Sequence, residues 1–472
     1  MKILYATSEA YPFAVSGGLG EVAYALPKQL KKDRVNIKVI MPLYSSIAKE
    51  YRDKMKFLTH FYVPLAWRNC YCGLFSLRLN GVEFIFVDNE YYFKRDGLYG
   101  HFDDAERFAF FSKAVLETLL HISFKPDIIH CNDWQTSLIP VFYRLFYADV
   151  DGFENIKTLL TIHNIQYQGT YGKFISGDVL GVSEQDESIL EYNNDINFMK
   201  GGIECANSVN TVSPTYATEI LDPWFSYGLD YILRQNVWKL TGIINGIDLD
   251  TYNPETHSYF PFSADKPKNK SKNKKALLKD FGMEDDGSPV IAFISRLVSQ
   301  KGIDLICAVM DELLDNYNFK FLVLGTGDQY YENYFRDLEQ RHSDKVRVKI
   351  EFSSDLSKKM YAGSDLFLMP SKFEPCGIAQ MIAMRYGTLP IVRKTGGLSD
   401  TVVDCGDENG YGFTFVTYNA HDMKDAIIRA VELYYNDKKR WAKAVKTALS
   451  KDFSWKKPSL AYRKLYDKIK SS

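Results

Sequence analysis

The sequence predicts an α/β protein of two similar halves, each a parallel sheet covered by helices on both faces. Three observations carry that prediction. Short apolar strand patterns alternate with helical ones along most of the chain, which is how parallel sheets with helical crossovers are written. A chain of 472 residues is too long for one ordinary core and requires two or three domains. Between the two strand–helix series lies a Gly/Asn/Asp-rich stretch, Thr241-Gly242-Ile243-Ile244-Asn245-Gly246-Ile247-Asp248, which reads as a hinge. The expected domains are therefore 1–241, 242–454 and a tail, 455–472, whose amphipathic pattern suits a helix that braces the first half.

The first series opens with a strand at 3–7, so the N-terminus reads as part of the fold and not as a signal peptide. A turn follows, Val15-Ser16-Gly17-Gly18-Leu19-Gly20-Glu21, then a helix with Leu19, Val22, Ala23, Leu26 and Leu30 on one face, and a strand at 37–41. The turn is not G-x-G-x-x-G and no acid ends the second strand, which weakens a dinucleotide reading. Further strands are expected at 84–87, 127–130, 158–162 and 208–212. The second series has strands at 290–294, 319–324, 346–351, 366–369, 389–392 and 413–415, with helices at 303–314, 330–341, 356–362 and 420–435. The lysine-rich run at 266–275 reads as a solvated loop leading into a helix, with polyanion binding as the alternative.

The second series contains the densest functional signal. Strand 366–369 is followed by Phe373-Glu374-Pro375-Cys376-Gly377, a short helix marked by Ile378, Met381 and Ile382 and ended by Gly387, a strand, and Lys394-Thr395-Gly396-Gly397-Leu398. Two successive strand-to-helix corners put backbone N–H groups and helix starts on one sheet edge, which favours a phosphate-bearing ligand. Glu374 in the first corner can accept hydrogen bonds from sugar hydroxyls; an ordinary crossover with an acid at a helix start fits the same residues. Ser16-Gly17-Gly18-Leu19 in the first half echoes Thr395-Gly396-Gly397-Leu398 in the second, and ligands of open parallel sheets sit at such carboxyl edges.

Other groups fall at the same edges. Arg296 and Lys301 follow strand 290–294, and two cations there could neutralise a diphosphate leaving group without a metal; two surface cations beside a loop is the alternative. His163 ends strand 158–162, where it either meets a sugar or is a satisfied core histidine. Asp133-Trp134 pairs an acceptor with an aromatic face.

Composition excludes several classes. With 46% hydrophobic and 25% charged residues and a net charge of −1, the chain is globular and has no field to gather nucleic acid or an acidic membrane. No apolar run approaches a membrane span. Seven scattered cysteines, with Cys70-Tyr71-Cys72 not a C-x-x-C pair, fit reduced thiols in a cytoplasm better than a disulfide framework or a zinc site. P-loop, H-E-x-x-H and G-x-S-x-G motifs are absent, and Asp248-Leu249-Asp250 lies at the hinge, out of place for a metal-binding acid pair.

With these residues in view, the chain resembles the bacterial glycogen synthases of the ADP-glucose type, relatives of the plant starch synthases. The resemblance runs nearly end to end. It rests on Ser8-Glu9 with Gly17-Gly18-Leu19-Gly20-Glu21-Val22, His130-Cys131-Asn132-Asp133-Trp134, and Thr161-Ile162-His163-Asn164-Ile165-Gln166-Tyr167-Gln168-Gly169. Asn197-Phe198-Met199-Lys200-Gly201-Gly202, Val212-Ser213-Pro214-Thr215-Tyr216-Ala217, the hinge, Ser295-Arg296-Leu297 through Lys301-Gly302 and the stretch 370–402 extend it.

The resemblance implies a GT-B fold, two Rossmann-like domains facing a deep cleft, with the acceptor on the first domain, the donor on the second and the C-terminal helix crossing back. It implies a cytoplasmic enzyme that needs no cofactor or metal. The reaction implied is transfer of glucose from ADP-glucose, with retention of configuration, to the non-reducing end of glycogen or a maltooligosaccharide. By position, His163, Arg296, Lys301 and Glu374 would be catalytic. Gly17, Gly18, Asn245, Phe352, Cys376, Gly377, Thr395, Gly396 and Gly397 would bind the donor, with Phe352 against adenine. Glu21, Tyr99, Asp133 and Trp134 would lie toward the acceptor. Three positions depart from the pattern: Val15 stands where the family has a phosphate-directed lysine, which opens the donor to UDP-glucose; Ile382 stands where the broader group has a second Glu; and Gln135 replaces a His. The competing readings are a related enzyme with another sugar acceptor and a catalytically weak glucan- or nucleotide-sugar-binding protein.

Overall fold

Short apolar runs become the strands of two large sheets, one in each of two compact units. The computed structural model describes residues 1–263 and 269–471; the first unit spans residues 1–246 and takes back the chain from Trp455, and the second spans Ile247–Ser454. The division falls after Gly246 because Leu240–Gly242 pairs as an edge strand of the first sheet.

In the first unit the strands are β1 (Lys2–Ala6), β2 (Asn36–Pro42), β3 (Lys56–Leu65), β4 (Arg68–Leu79), β5 (Val82–Asp88) and β6 (Ile128–Asn132). They are followed by β7 (Lys157–Ile162), β8 (Thr170–Gly172), β9 (Glu191–Tyr192), β10 (Asp195–Asn197), β11 (Ser208–Thr211) and β12 (Leu240–Gly242). Among the described residues the main sheet has nine strands in the order β12-β11-β7-β6-β1-β2-β5-β4-β3, and β8, β10 and β9 make a small antiparallel sheet. Neighbours from β12 to β5 are parallel, and the chain order reverses between β6 and β1. That reversal is the switch point where open α/β sheets bind ligands.

The sheet is not purely parallel, as the strand–helix alternation implied. β5, β4 and β3 run antiparallel, and β4 turns into β5 through Asn80-Gly81, both at positive φ (49° and 81°), the geometry of a two-residue hairpin turn. The helix Gly18–Lys32 buries Leu19, Val22, Ala23, Leu26 and Leu30, the stripe read from the sequence. The terminal helix Lys456–Ser471 packs on this unit through Tyr462, Leu465, Tyr466 and Ile469, with the Tyr466 hydroxyl 2.8 Å from His130 Nδ1.

The second unit contains β13 (Val290–Ile294), β14 (Lys320–Leu324), β15 (Val346–Lys349), β16 (Leu366–Met369), β17 (Leu389–Arg393) and β18 (Phe413–Phe415). They form a parallel sheet in the order β15-β14-β13-β16-β17-β18, with its switch point between β13 and β16. Helices Ile303–Asn316, Gln329–Arg341, Ser354–Gly363 and Ala420–Asn436 fall close to their expected positions.

The lysine run behaves differently from a solvated loop. Residues 266–268 lie outside the described residues, but Lys270 and Lys274 on the helix Lys270–Asp280 point inward. Lys270 Nζ donates to the carbonyls of Tyr361 (3.1 Å) and Tyr386 (2.8 Å) and to Thr388 Oγ1 (2.6 Å); Lys274 pairs with Asp365 at 2.7 Å. Those carbonyls end two helices, where a cation is favoured, although burial pulls the Lys270 ammonium down to about 7. No helix of the described residues is long and apolar enough to cross a membrane.

Candidate active site

Beyond β1 the chain turns through Thr7, Ser8 and Glu9 into the glycine corner. Glu9 is 1% exposed. Its carboxylate accepts from Ser16 N (2.7 Å), Ser16 Oγ (2.6 Å) and Gly20 N (3.0 Å). Burial pushes this carboxyl up, while the three donors pull it back down. One buried acid thus holds the corner whose residues Val15 to Gly18 are exposed. Gly17 is the N-cap of the helix Gly18–Lys32, brings no side chain to the cap, and has nothing within 4 Å of where a Cβ would stand. Glu21 lies in the first turn of that helix.

Tyr99 is reached from the loop before the helix Asp104–His121, and its hydroxyl lies 2.8 Å from Ser8 Oγ. The fully buried Arg107 fixes that loop. It donates to the carbonyls of Tyr92 (2.8 Å) and Leu98 (3.2 Å) and pairs with Asp104, which in turn accepts from Gly100 N at 2.8 Å.

At the end of β6, Asp133 has φ 57°, an uncommon conformation for a non-glycine residue. Its Oδ1 accepts from the backbone N–H groups of His163 (2.6 Å) and Asn164 (3.3 Å), and burial pushes the carboxyl up to about 7. His163 Nε2 lies 2.9 Å from Asn132 Oδ1. The Asn132 amide nitrogen donates to Ala6 O at 2.9 Å, which fixes its oxygen as an acceptor. His163 Nε2 therefore carries the proton, and Nδ1 is left as the acceptor of the ring. Burial lowers this imidazole to about 3, so it is neutral near pH 7.

Trp134 is more deeply packed than an open aromatic face would be, with Phe108 edge-on at 5.0 Å and Gly169 against its ring. It contributes to a pocket of about 460 Å³ lined also by Tyr167, Gln168, Tyr171 and Tyr227. Asn245 is buried, and its Oδ1 accepts no hydrogen bond among the described residues.

In the second unit, Lys301 and Glu374 meet at the switch point. Lys301 Nζ lies 2.7 Å from Glu374 Oε2, which also accepts from Ser371 Oγ at 2.9 Å. Arg296, just beyond β13, is exposed, and its guanidinium has no hydrogen bond or ion pair among the described residues. Phe352, in the loop after β15, is 92% exposed. Cys376, Gly377, Thr395, Gly396 and Gly397 are buried together where the two corners stack. A Cβ on Gly396 would strike the Glu374 carbonyl oxygen, and one on Gly397 the Cys376 carbonyl oxygen. The Gly397 N–H is shared between the carbonyls of Glu374 and Pro375, each at 3.2 Å. Ile382 is a core residue of the helix Ala379–Arg385.

Within each unit, then, the structure joins Asp133 with His163, Lys301 with Glu374, and the Glu374–Gly377 turn with Thr395–Gly397, while Arg296 and Phe352 stand alone in solvent. Sequence reasoning passed over Glu9, Ser371 and Arg107 as working groups. Glu9 had a usable signal: it is an acid just past a buried strand, facing a glycine turn, the same logic that singled out Glu374.

Residues 2–235 match the family described as starch synthase catalytic domain, and residues 275–448 match glycosyl transferases group 1. A glycogen synthase of Clostridium acetobutylicum is 48% identical over 474 residues, covering 99% of both chains. One of Bacillus cereus is 47% identical over 476 residues, covering 99% of this chain and all of that one. Among solved structures, the catalytic domain of starch synthase IV from Arabidopsis thaliana, bound to ADP and acarbose, is similar with a TM-score of 0.93 and 35% identity, over 100% of this chain and 99% of that one. A sucrose-phosphate synthase of Thermosynechococcus elongatus shares the fold, with a TM-score of 0.63 at 16% identity, over 100% of this chain and 99% of that one.

Proposed function

The chain belongs to the glycogen synthase family, and on that premise we propose that it lengthens an α-1,4-glucan by transferring glucose from ADP-glucose to the 4-hydroxyl of the non-reducing end, with retention and release of ADP. That it is a glycosyltransferase of the GT-B fold with two Rossmann-like domains follows from the family matches and the structural likeness.

The observation that carries the finer reading is the Lys301–Glu374 pair, 2.7 Å apart at the switch point of the second sheet. A lysine held there by a carboxylate is oriented before the donor arrives, and with Arg296 it offers two positive charges to a departing diphosphate. Preorganised charge of this kind stabilises a leaving group without reorganising as the bond breaks. Glu374 then serves the donor's hydroxyls as an acceptor, and exposed Phe352 offers a face to the base. The unpartnered Asn245 Oδ1 can accept from a sugar hydroxyl. His163, neutral with Nδ1 as acceptor, suits a hydroxyl close to the reacting carbon better than an imidazolium would. Asp133, Trp134, Tyr99 and Glu21 serve the acceptor side, and Gly17 and Gly18 the donor phosphates.

Retention by a double displacement needs a second carboxylate as nucleophile. The position where the broader group carries one is Ile382, buried in the core. A front-face displacement fits better: the C1–O bond to the diphosphate breaks, the acceptor oxygen forms its bond on the same face, and the leaving phosphate oxygen takes the acceptor's proton. No cofactor takes part.

The test offers ADP-glucose and UDP-glucose separately with glycogen and measures nucleoside diphosphate release. Release from ADP-glucose at the higher kcat/KM is expected. Preference for UDP-glucose would overturn the donor assignment and implicate Val15, and release from neither would sink the synthase reading.

A further inference from the structure

The hairpin β3–β4 and its neighbour β5 carry a group of side chains that the reaction does not use. On the solvent side, Phe57 (54% exposed), His60 and Tyr71 (40% exposed) follow one another across the two strands. Phe57 and His60 have ring centroids 6.4 Å apart with planes 28° apart; His60 and Tyr71 are 6.0 Å apart at 26°. Three rings therefore lie in nearly one orientation.

The surface beneath them is shaped to keep them flat. His60 pairs with Gly73 on β4, and Gly73 pairs with Asp88 on β5. A Cβ at Gly73 would come 2.8 Å from the Tyr71 hydroxyl and 3.2 Å from Asp88 Oδ2. The Tyr71 ring thus leans over the one position of the strand with no side chain, toward the Asp88 carboxylate. The backbone carbonyl of Tyr71 is tied down by Asn89 Nδ2 at 2.8 Å. Asp88 is half-buried, and its carboxylate has neither a hydrogen bond nor an ion pair among the described residues. Burial and the neighbouring Glu90 push that carboxyl up, with Arg52 acting the other way.

A flat aromatic surface with an unpaired acceptor at its edge matches a pyranose. The apolar C–H face of the sugar stacks on the rings, and its rim hydroxyls donate to the carboxylate. Consecutive rings suit consecutive sugars of a chain better than a single monosaccharide. A protein partner is less well served, because His60 and Asp88 interrupt the apolar surface and a second copy would bury the Asp88 carboxylate unpaired.

We propose that Phe57, His60, Tyr71 and Asp88 form a glucan-binding platform that holds a chain of the polymeric acceptor away from the reacting end. This rests on the reading of the protein as a glucan-elongating transferase. The platform raises the local concentration of chain ends by tethering the polymer, so it acts on large acceptors and not on short ones.

The test uses the full chain with Tyr71→Ala, Asp88→Asn and Gly73→Val, the last displacing the ring while leaving Tyr71 in the sequence. Glycogen affinity is read by gel retardation without donor, KM by kinetics with glycogen and with maltotriose, and association state by sedimentation. A loss of about five- to tenfold in glycogen affinity is expected for Tyr71→Ala and Gly73→Val, and a smaller one for Asp88→Asn. The kcat and the KM for maltotriose should stay as in the wild type. Unchanged glycogen affinity in the folded variants overturns the platform. So does a wild-type oligomer that Tyr71→Ala dissociates, which would make the face a contact between copies. A wild-type protein that binds glycogen at this face but releases no diphosphate would overturn the transferase reading and leave the platform standing.

Discussion

The two glycine corners, Ser16-Gly17-Gly18-Leu19 and Thr395-Gly396-Gly397-Leu398, have the same form and opposite surroundings. The first is open: Val15 to Gly18 are exposed, and a side chain at Gly17 would meet nothing. The second is closed: its glycines are pressed against the carbonyls of Glu374 and Cys376, and the Gly397 N–H is already shared within the protein. The first corner is held from below by an acid, Glu9; the second lies beside a paired cation, Lys301. A shared tetrapeptide therefore reports a shared strand-to-helix corner and nothing more specific. In the first unit the glycines leave room for something to approach the backbone. In the second they let two turns stack so closely that Glu374 is fixed.

The largest expected effect tests the difference in charge. Lys301→Ala should lower kcat by roughly 10²–10³, the loss typical of removing one preorganised donor to developing charge, with the protein still folded. If kcat with saturating donor survives and KM alone rises, the lysine binds the donor without stabilising its departure, and the second corner loses its catalytic distinction.

Next comes the difference in packing. Gly397→Ala places a methyl group against the Cys376 carbonyl and should cost the second unit about 1–3 kcal/mol, as overpacking does, seen as a lower Tm. Turnover should fall with it, because Glu374 must shift. Gly17→Ala, at an extended φ of −167° that any residue adopts, should stay within about 0.5 kcal/mol of the wild type. Equal destabilisation by the two substitutions would erase the comparison.

The same contrast shows what could be read in advance. The strands at Val290–Ile294, Leu366–Met369 and Phe413–Phe415 came out end for end, because fully buried parallel strands are continuous apolar runs with sharp borders. The Lys56–Leu65 and Arg68–Leu79 pair did not. Its connection, Ala66-Trp67, has no Gly or Asn to mark a turn, although Ala66 takes a φ of 51°. The next turn, Asn80-Gly81, did carry the standard hairpin signal and would have shown the antiparallel edge. At the site, residue types and edges were legible: an acid, cations and glycines following buried strands. Partners were not. That Lys301 would pair with Glu374, or that Asp133 would hold the backbone of His163, depends on which strands lie side by side across the switch point. No local pattern encodes that order.

The smallest effect concerns Val15, 45% exposed on the open corner. Val15→Lys adds one cation beside a helix start that already favours anions, in a place with no buried neighbour to pay for its desolvation. A single exposed charge is worth about 0.3–1 kcal/mol, so the KM for the nucleotide-sugar donor should fall about two- to fivefold at low salt. The gain should fade as ionic strength rises toward 0.1 M and the screening length shrinks to about 10 Å, while a contact made through closed packing would not respond. Unchanged KM at low salt would mean that the donor's phosphates do not reach the first corner. The openness of that corner would then serve the acceptor, and the asymmetry between the two glycine turns would be one of substrate as well as of packing.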